Sequence, residues 1–370
     1  MAVDWTLIVP ILIGALVTFQ GAASTLLGRI GGPAFATWLV FTAPVIPSLI
    51  TFLIETKAAT ATVTFTQGAT DAPWFSYCGG FMGPFIVWSV LTCVPKIGVN
   101  LFFSIQVSAQ LLSALLFQHF GAVGVVQRSA SVGMIVGLSL TIVGVLVILL
   151  AKLRSAAGQQ EEEADYENSP TSTIETPESI EFLASDKASS STGDLLQVED
   201  SPQQKQLQRS GPKSEAVSLL KYGVCLVWGI FSGVAASLQA GMNSTLGIKY
   251  NSAAFATFVV ACVAFVPCSV AYVVEYMRCP TNFRKVRAET PWWCYPCGLV
   301  GFGIVMMFSY LPQRLDSSVL MGALVCTQIL SSLAADHFGW WRLSVNRVTG
   351  LKAVGASLLV GGVIVMSVWN

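Results

Sequence analysis

Ten apolar runs, most of about 20 residues, divide the chain into two sets of five: 5–28, 34–54, 74–94, 99–118 and 132–151, then 221–247, 253–275, 293–311, 317–335 and 350–369. A helix rises about 1.5 Å per residue and a bilayer's hydrocarbon core is about 30 Å thick, so about 20 apolar residues carry one helix across. Polar residues separate the runs in short clusters, except for one long stretch between the fifth and the sixth. The pattern predicts an all-α integral membrane protein with ten transmembrane helices. A first five-span repeat covers residues 1–154, a linker 155–218, and a second five-span repeat 219–370. The first run, Trp5 to Leu27, lacks a basic start and is longer than a leader's apolar segment, so it is expected to remain as a span.

The two halves share more than hydropathy. "QLLSALLFQHFG" at 110–121 returns as "QILSSLAADHFG" at 328–339 with seven letters unchanged. Phe35-Ala36-Thr37 returns as Phe255-Ala256-Thr257, Glu55 as Glu275, Pro73-Trp74 as Pro291-Trp292, and Gly144 as Gly361, always at an offset of 217 to 220. A duplicated unit with an odd number of spans has a geometric consequence. If the linker stays on one side, the second unit enters where the first ended, and the two five-helix repeats are inverted. Inverted repeats are the usual frame of secondary transporters that alternate access around a midplane site.

Composition fits a membrane solvent. Apolar residues make up 54% of the chain and charged ones 11%, whereas a soluble surface needs about a quarter. Residues 155–215 carry thirteen of the twenty acidic residues against four basic ones, among many Ser, Thr and Pro, so the linker is expected to be disordered. Ser169-Pro170, Thr176-Pro177 and Ser201-Pro202 offer phosphate acceptors to a kinase; a plain tether is the simpler role. Basic residues of the short loops divide twelve to four in favour of the linker side as cytosolic, which puts both termini outside. The cationic 278–287 loop suits anionic lipid heads rather than nucleic acid.

The candidate site comes from polar residues at mid-depth, where an unpaired amide is costly to bury. Gln20, Gln110, Gln239 and Gln328 form a symmetric quartet. Asn243 shares a helical face with Gln239, and Ser113 and Ser331 follow three residues after their glutamines. These seven are the expected substrate-binding residues; hydrogen bonds that hold helices together are the competing role for each. His119 and His337 precede glycines that can end a helix, so helix capping is expected rather than proton relay. Glu55 and Glu275 are expected at an interface, solvated, and Pro44, Pro47 and Pro267 can kink their helices. Cys294-Tyr-Pro-Cys297 opens a hydrophobic span and has no second pair, so packing is the expected role. No catalytic constellation, metal site or cofactor loop is expected, nor enzyme activity.

These residues carry a resemblance. "GALVTFQ" at Gly14–Gln20, "QAGMN" with Gln239 and Asn243, "APWFSYCGG" at 72–80, "TPWWCYPCG" at 290–298 and the two His-Phe-Gly segments resemble the drug/metabolite transporter superfamily, EamA-like proteins, and most closely its YdcZ-like branch of five-span bacterial proteins, here duplicated and fused. Ser24 stands where the family has Asn, as at Asn243, and Gln118 where it has an acid, as at Asp336. The resemblance implies an export- or exchange-type carrier of a small-molecule substrate with a central pocket. It also implies cytosolic termini, opposite to the basic-residue count. A non-transporting scaffold acting through its linker is the alternative, and homo-oligomers are open to either.

Overall fold

The computed structural model describes residues 5–57, 63–125, 127, 129–168, 212–311, 317–342 and 348–369. Among these the regular structure is helical, with no strand. α1 (Trp5–Gly31), α2 (Pro33–Thr42) and α3 (Val45–Lys57) are followed by a short α4 (Phe65–Asp71), then α5 (Gly79–Ile97), α6 (Val99–Phe120) and α7 (Val132–Asn168). The second half repeats the order with α8 (Pro212–Tyr250), α9 (Ala253–Arg278), a short α10 (Phe283–Glu289), α11 (Cys297–Tyr310), α12 (Ser317–Phe338) and α13 (Gly350–Val368).

Among the described residues, eight segments are long and apolar enough to cross a membrane, and they coincide with the first eight runs of the sequence. The ninth and tenth runs are the helices α12 and α13, the latter apolar but shorter over Gly350–Met366. α12 carries Gln328, Ser331, Ser332, Asp336 and His337 in its second half, which dilutes its hydropathy. It is nonetheless an interior helix, with Leu320, Val325, Ile329 and Ala335 fully buried. The outer surface presents Ile46, Ile54, Val132, Val266 and Met277, an apolar exterior that suits acyl chains and not water. Helices are the form such a surface demands, because each backbone N–H and C=O must be satisfied within its own segment.

Residues 1–152 and 222–370 form one compact unit, whose core draws Phe102, Phe103 and Leu111 from the first half and Leu320, Ile329 and Leu359 from the second. A second unit covers residues 153–221, where helix extends from residue 153 to 168 and from 212 to 221. The Ala-, Gln- and Glu-rich 155–168 is a good helix former, so regular backbone reaches into a stretch expected to lack it. The rest of that linker, residues 169–211 with the three Ser/Thr-Pro sites, lies outside the described residues.

Helix directions follow from individual contacts. α1 runs parallel to α12: Gly14 lies against Leu324, Thr327 and Gln328, and one turn further on Thr18 meets Gln328 and Ser331. α8 repeats this on α6, with Gly233 against Gln106, Ala109 and Gln110, and Ser237 meeting Gln110 and Ser113. Each residue of one contact stands 218 or 219 positions from its equivalent in the other. α7 and α13 run antiparallel, Gly137 backing onto Gly362 and Gly144 onto Gly355. Gly361 faces open space, so Gly144 finds its structural equivalent in Gly362 and not in Gly361.

The second span and its counterpart are also antiparallel, and here Glu55 and Glu275 depart from expectation. Neither is merely solvated. Glu275, near the end of α9, accepts a hydrogen bond from the Ala34 N–H in the first turn of α2 at 3.0 Å. Glu55, near the end of α3, accepts from Ser252 Oγ at 2.5 Å, and Ser252 is the N-cap of α9. An antiparallel pair brings the end of one helix to the start of the other, where free N–H groups and the positive end of the dipole favour a carboxylate. Glu275→Ala should therefore lower stability by about 1 kcal/mol. Melting of the purified protein checks this: the midpoint should fall for alanine and by less for Glu275→Gln, which keeps an acceptor. No change would remove the capping role.

The prolines act unequally. Pro44 lies in the break between α2 and α3, since proline cannot donate to the carbonyl four residues back and its ring crowds it. The equivalent position in the second half is Ala264, and α9 runs through Pro267 without interruption. His119 and His337 brace loops rather than cap by dipole alone. Each Nδ1 accepts from a backbone N–H eleven residues on, that of Ala130 at 3.4 Å and of Val348 at 3.2 Å. Gly121 and Gly339, two residues beyond them, take the left-handed conformation that ends each helix.

Candidate functional site

Where α1, α5, α6, α8, α11 and α12 meet, with Phe41 from α2, they border a half-open cavity. The centre of a water molecule can reach about 110 Å³ of it, far more than the 10–15 Å³ that one water occupies on this measure. Gln20, Gln110, Gln239 and Gln328 all line it, each at least nine-tenths buried. Gln106 and Ser24 complete its polar wall. The rest is apolar, with Phe41, Phe103 and Phe308 among aliphatic side chains.

Glycines make the room. Nε2 of Gln20 lies 3.2 Å from where a Cβ of Gly301 would stand, and Nε2 of Gln239 lies 3.3 Å from the equivalent point on Gly83. Each amide thus rests over a bare stretch of backbone on the facing helix of the other half. Gln110 directs Nε2 to Met321 Sδ at 3.5 Å, a weak acceptor. Among the described residues, none that lines it is ionisable.

The other three expected residues lie elsewhere. Ser113 sits 3.0 Å from Ser237 Oγ, which donates to the Gln110 carbonyl at 2.6 Å. Ser331 sits 3.0 Å from Thr18 Oγ1, which lies 3.2 Å from the Gln328 carbonyl. These two equivalent clamps hold α6 to α8 and α12 to α1 beside the cavity, so the serines fix the helices from which the glutamines project. Asn243 is fully buried away from the cavity, packed against Gly79, and neither end of its amide has a partner.

Sequence reading passed over Thr18 and Ser237, although they stand at equivalent positions two residues before Gln20 and Gln239. Their small hydroxyls fall within the ordinary composition of membrane helices, and only the helix pairing gives them a role. Gln106 stands four residues before Gln110 on the same helical face, yet its counterpart is Leu324, so the repeat does not single it out. Among the described residues no cluster of His, Cys, Asp and Glu could hold a metal ion. Cys294 and Cys297 are both buried and unbridged.

The model of one protein family, described as "Putative inner membrane exporter, YdcZ", matches the chain over residues 5–147 and again over 224–365. No curated protein and no solved structure matches the chain.

Proposed function

The chain belongs to the YdcZ family of the drug/metabolite transporter superfamily and is a multi-pass membrane protein of transporter type, and we propose that it moves a small organic solute by alternating access between two inverted five-span repeats. The observation that carries this reading is the cavity between the halves, to which equivalent helices contribute two equivalent pairs of glutamines. Gln20, Gln110, Gln239 and Gln328 would contact the solute, and Ser113, Ser331 and Asn243 would serve the helices around them.

Helix directions support ten crossings. Consecutive crossings alternate in direction, so spans of like parity run parallel and spans of unlike parity antiparallel. The first and ninth spans are parallel, as are the fourth and sixth; the second and seventh are antiparallel, as are the fifth and tenth. A carrier of this kind needs two packings of similar energy, related by exchange of the two halves' conformations. The break at Pro44 in the second span and the continuous α9 in its counterpart are a difference that such an exchange can use. The linker side is taken as cytosolic from its basic flanking loops.

Reconstitution tests the reading. Purified protein in liposomes should accelerate the exit of at least one solute from a preloaded metabolite mixture. It should do so equally when residues 169–211 are exchanged for a Gly/Ser stretch of the same length. Loss of the cellular effect on that exchange, with no flux for any solute, would favour a scaffold acting through its linker.

A further inference from the structure

Two short helices hold equivalent places in the two halves and differ in charge. α4 (Phe65–Asp71) follows the second span, and α10 (Phe283–Glu289) follows the seventh. Those spans are antiparallel, so the short helices lie at opposite ends of the pair. Each begins with Phe, ends with an acid and leads into Pro-Trp, at a constant offset of 218. Each also covers the end of a long helix through equivalent residues. Gly68 lies against Tyr250, the last residue of α8, and Val286 lies against Gly31, the last residue of α1. Between these shared positions the sequences part: Arg284, Lys285 and Arg287 stand where α4 has Thr66, Gln67 and Ala69. The element folds without cations in the first half, so in the second they answer to something outside the fold.

α10 is firmly seated. Val286 is buried and its carbonyl accepts from Tyr295 OH at 3.4 Å, while Asn282 caps the helix by accepting from the Lys285 N–H at 3.1 Å. Thr281 Oγ1 donates to the Gly31 carbonyl at 3.3 Å. Arg284, Lys285 and Arg287 are left exposed, as are Arg278 at the end of α9 and Arg29 in the last turn of α1. Glu289 is the one acid among residues 276–291. Exposed Met277, Phe283 and Trp292 are interleaved with these cations along the chain. Aromatic side chains at the end of a span sit at head-group level. Phe65 and Trp74 are exposed as well, so both ends carry aromatic anchors and α10 alone adds the cations. A soluble anion would meet only the charges, whereas a lipid has a head for them and a body for the apolar side chains.

We propose that Arg29, Arg278, Arg284, Lys285 and Arg287 form a docking surface for anionic phospholipid at one face of the membrane. The guanidinium and ammonium groups meet head-group phosphates, to which Arg can bind through two parallel hydrogen bonds. Met277, Phe283 and Trp292 lie against the upper ends of the acyl chains. α4, at the other end of the antiparallel pair, offers no counterpart. The proposal stands apart from the transport reading, since it concerns the lipid around the protein and not the solute within it.

Detergent-solubilised full-length protein is titrated with an equimolar mixture of dioleoyl phosphatidylglycerol and dioleoyl phosphatidylcholine, and bound lipids are counted by native mass spectrometry. The anionic lipid should be retained at least about tenfold over the zwitterionic one, because each basic residue near the surface favours an anionic lipid by about fivefold. Raising the ammonium acetate from about 0.1 M to 1 M shortens the Debye length from about 10 Å to 3 Å and should erase most of that preference. Arg284→Thr with Lys285→Gln and Arg287→Ala gives α10 the residues of α4, and should lower the ratio about fivefold or more. Those residues serve the equivalent helix, so the triple variant should keep the melting midpoint; if it does not fold, the salt series decides alone. Equal retention of the two lipids, a preference indifferent to salt, or a ratio that the folded triple variant leaves unchanged would each overturn the proposal. Displacement of the lipid by millimolar inorganic phosphate would do so too, since the surface would then belong to a soluble anion.

Discussion

Leucine at Gly233 should leave little protein that purifies as a single well-folded species. A Cβ on Gly233 would run into the carbonyl oxygen of Gln106, and it would lie 2.8 Å from Ala109 Cβ and 2.9 Å from the Gln110 backbone nitrogen. Two of those three atoms belong to the backbone of α6, so no side-chain rotation relieves the clash, and α6 and α8 must part. Inserting atoms into a packed interior costs about 1–3 kcal/mol even where side chains can shift. Parting the helices also breaks the bond from Ser237 to the Gln110 carbonyl and opens the cavity between them. Gly14→Leu should behave alike, since its Cβ meets the carbonyl oxygen of Leu324 in the equivalent contact. Gly361→Ala is the control: nothing lies within 4 Å of its Cβ, and alanine favours helix over glycine by about 0.5–1 kcal/mol. Size-exclusion profiles and melting midpoints should collapse for the first two and hold or rise for the third. A well-folded Gly233→Leu protein would mean that the two helices do not touch at this point.

Replacement of all four paired glutamines by leucine should abolish transport and leave the fold intact. Leucine is close to glutamine in size, and exchanging a buried amide for an apolar group of similar shape is close to neutral when no donor or acceptor is stranded. The cavity amides strand little, because Gln20 and Gln239 rest over glycine backbone and Gln110 reaches only a thioether. A solute, by contrast, would lose each hydrogen bond it makes, at a factor of about 5–150 in affinity per bond. Single changes should raise the half-saturating concentration, and the fourfold change should remove measurable flux. Ser113→Ala and Ser331→Ala should show the opposite balance, lowering the melting midpoint with little change in half-saturation, since those hydroxyls bind helices. Flux at the unsubstituted rate from the fourfold variant would remove the glutamines from the site.

How much of this was legible beforehand depends on the kind of residue. The glutamine quartet was, because a strongly polar side chain at mid-depth in an apolar run stands out and its recurrence at a constant offset marks it twice. The serines misled, because a hydroxyl three residues from such a glutamine is near the same helical face, yet 3.6 residues per turn leaves it rotated enough to reach the neighbouring helix instead. Asn243 misled in the same way from four residues. Glu55 and Glu275 read as solvated because a carboxylate at the end of a span has water as its default partner. Their partners lie 197 and 241 positions away in sequence.

By itself, the sequence determined the helical class, the positions of the apolar spans, the duplication and the residues that can hydrogen-bond at mid-membrane. These follow from composition, from the length needed to cross hydrocarbon and from internal comparison, all of them local or repetitive properties. Only the tertiary structure decided which polar groups face the cavity, which tie helices together, and where glycine lets backbones meet. Those outcomes depend on helix rotation and pairing, which are set by the summed fit of many side chains from both halves and leave no mark at any single position.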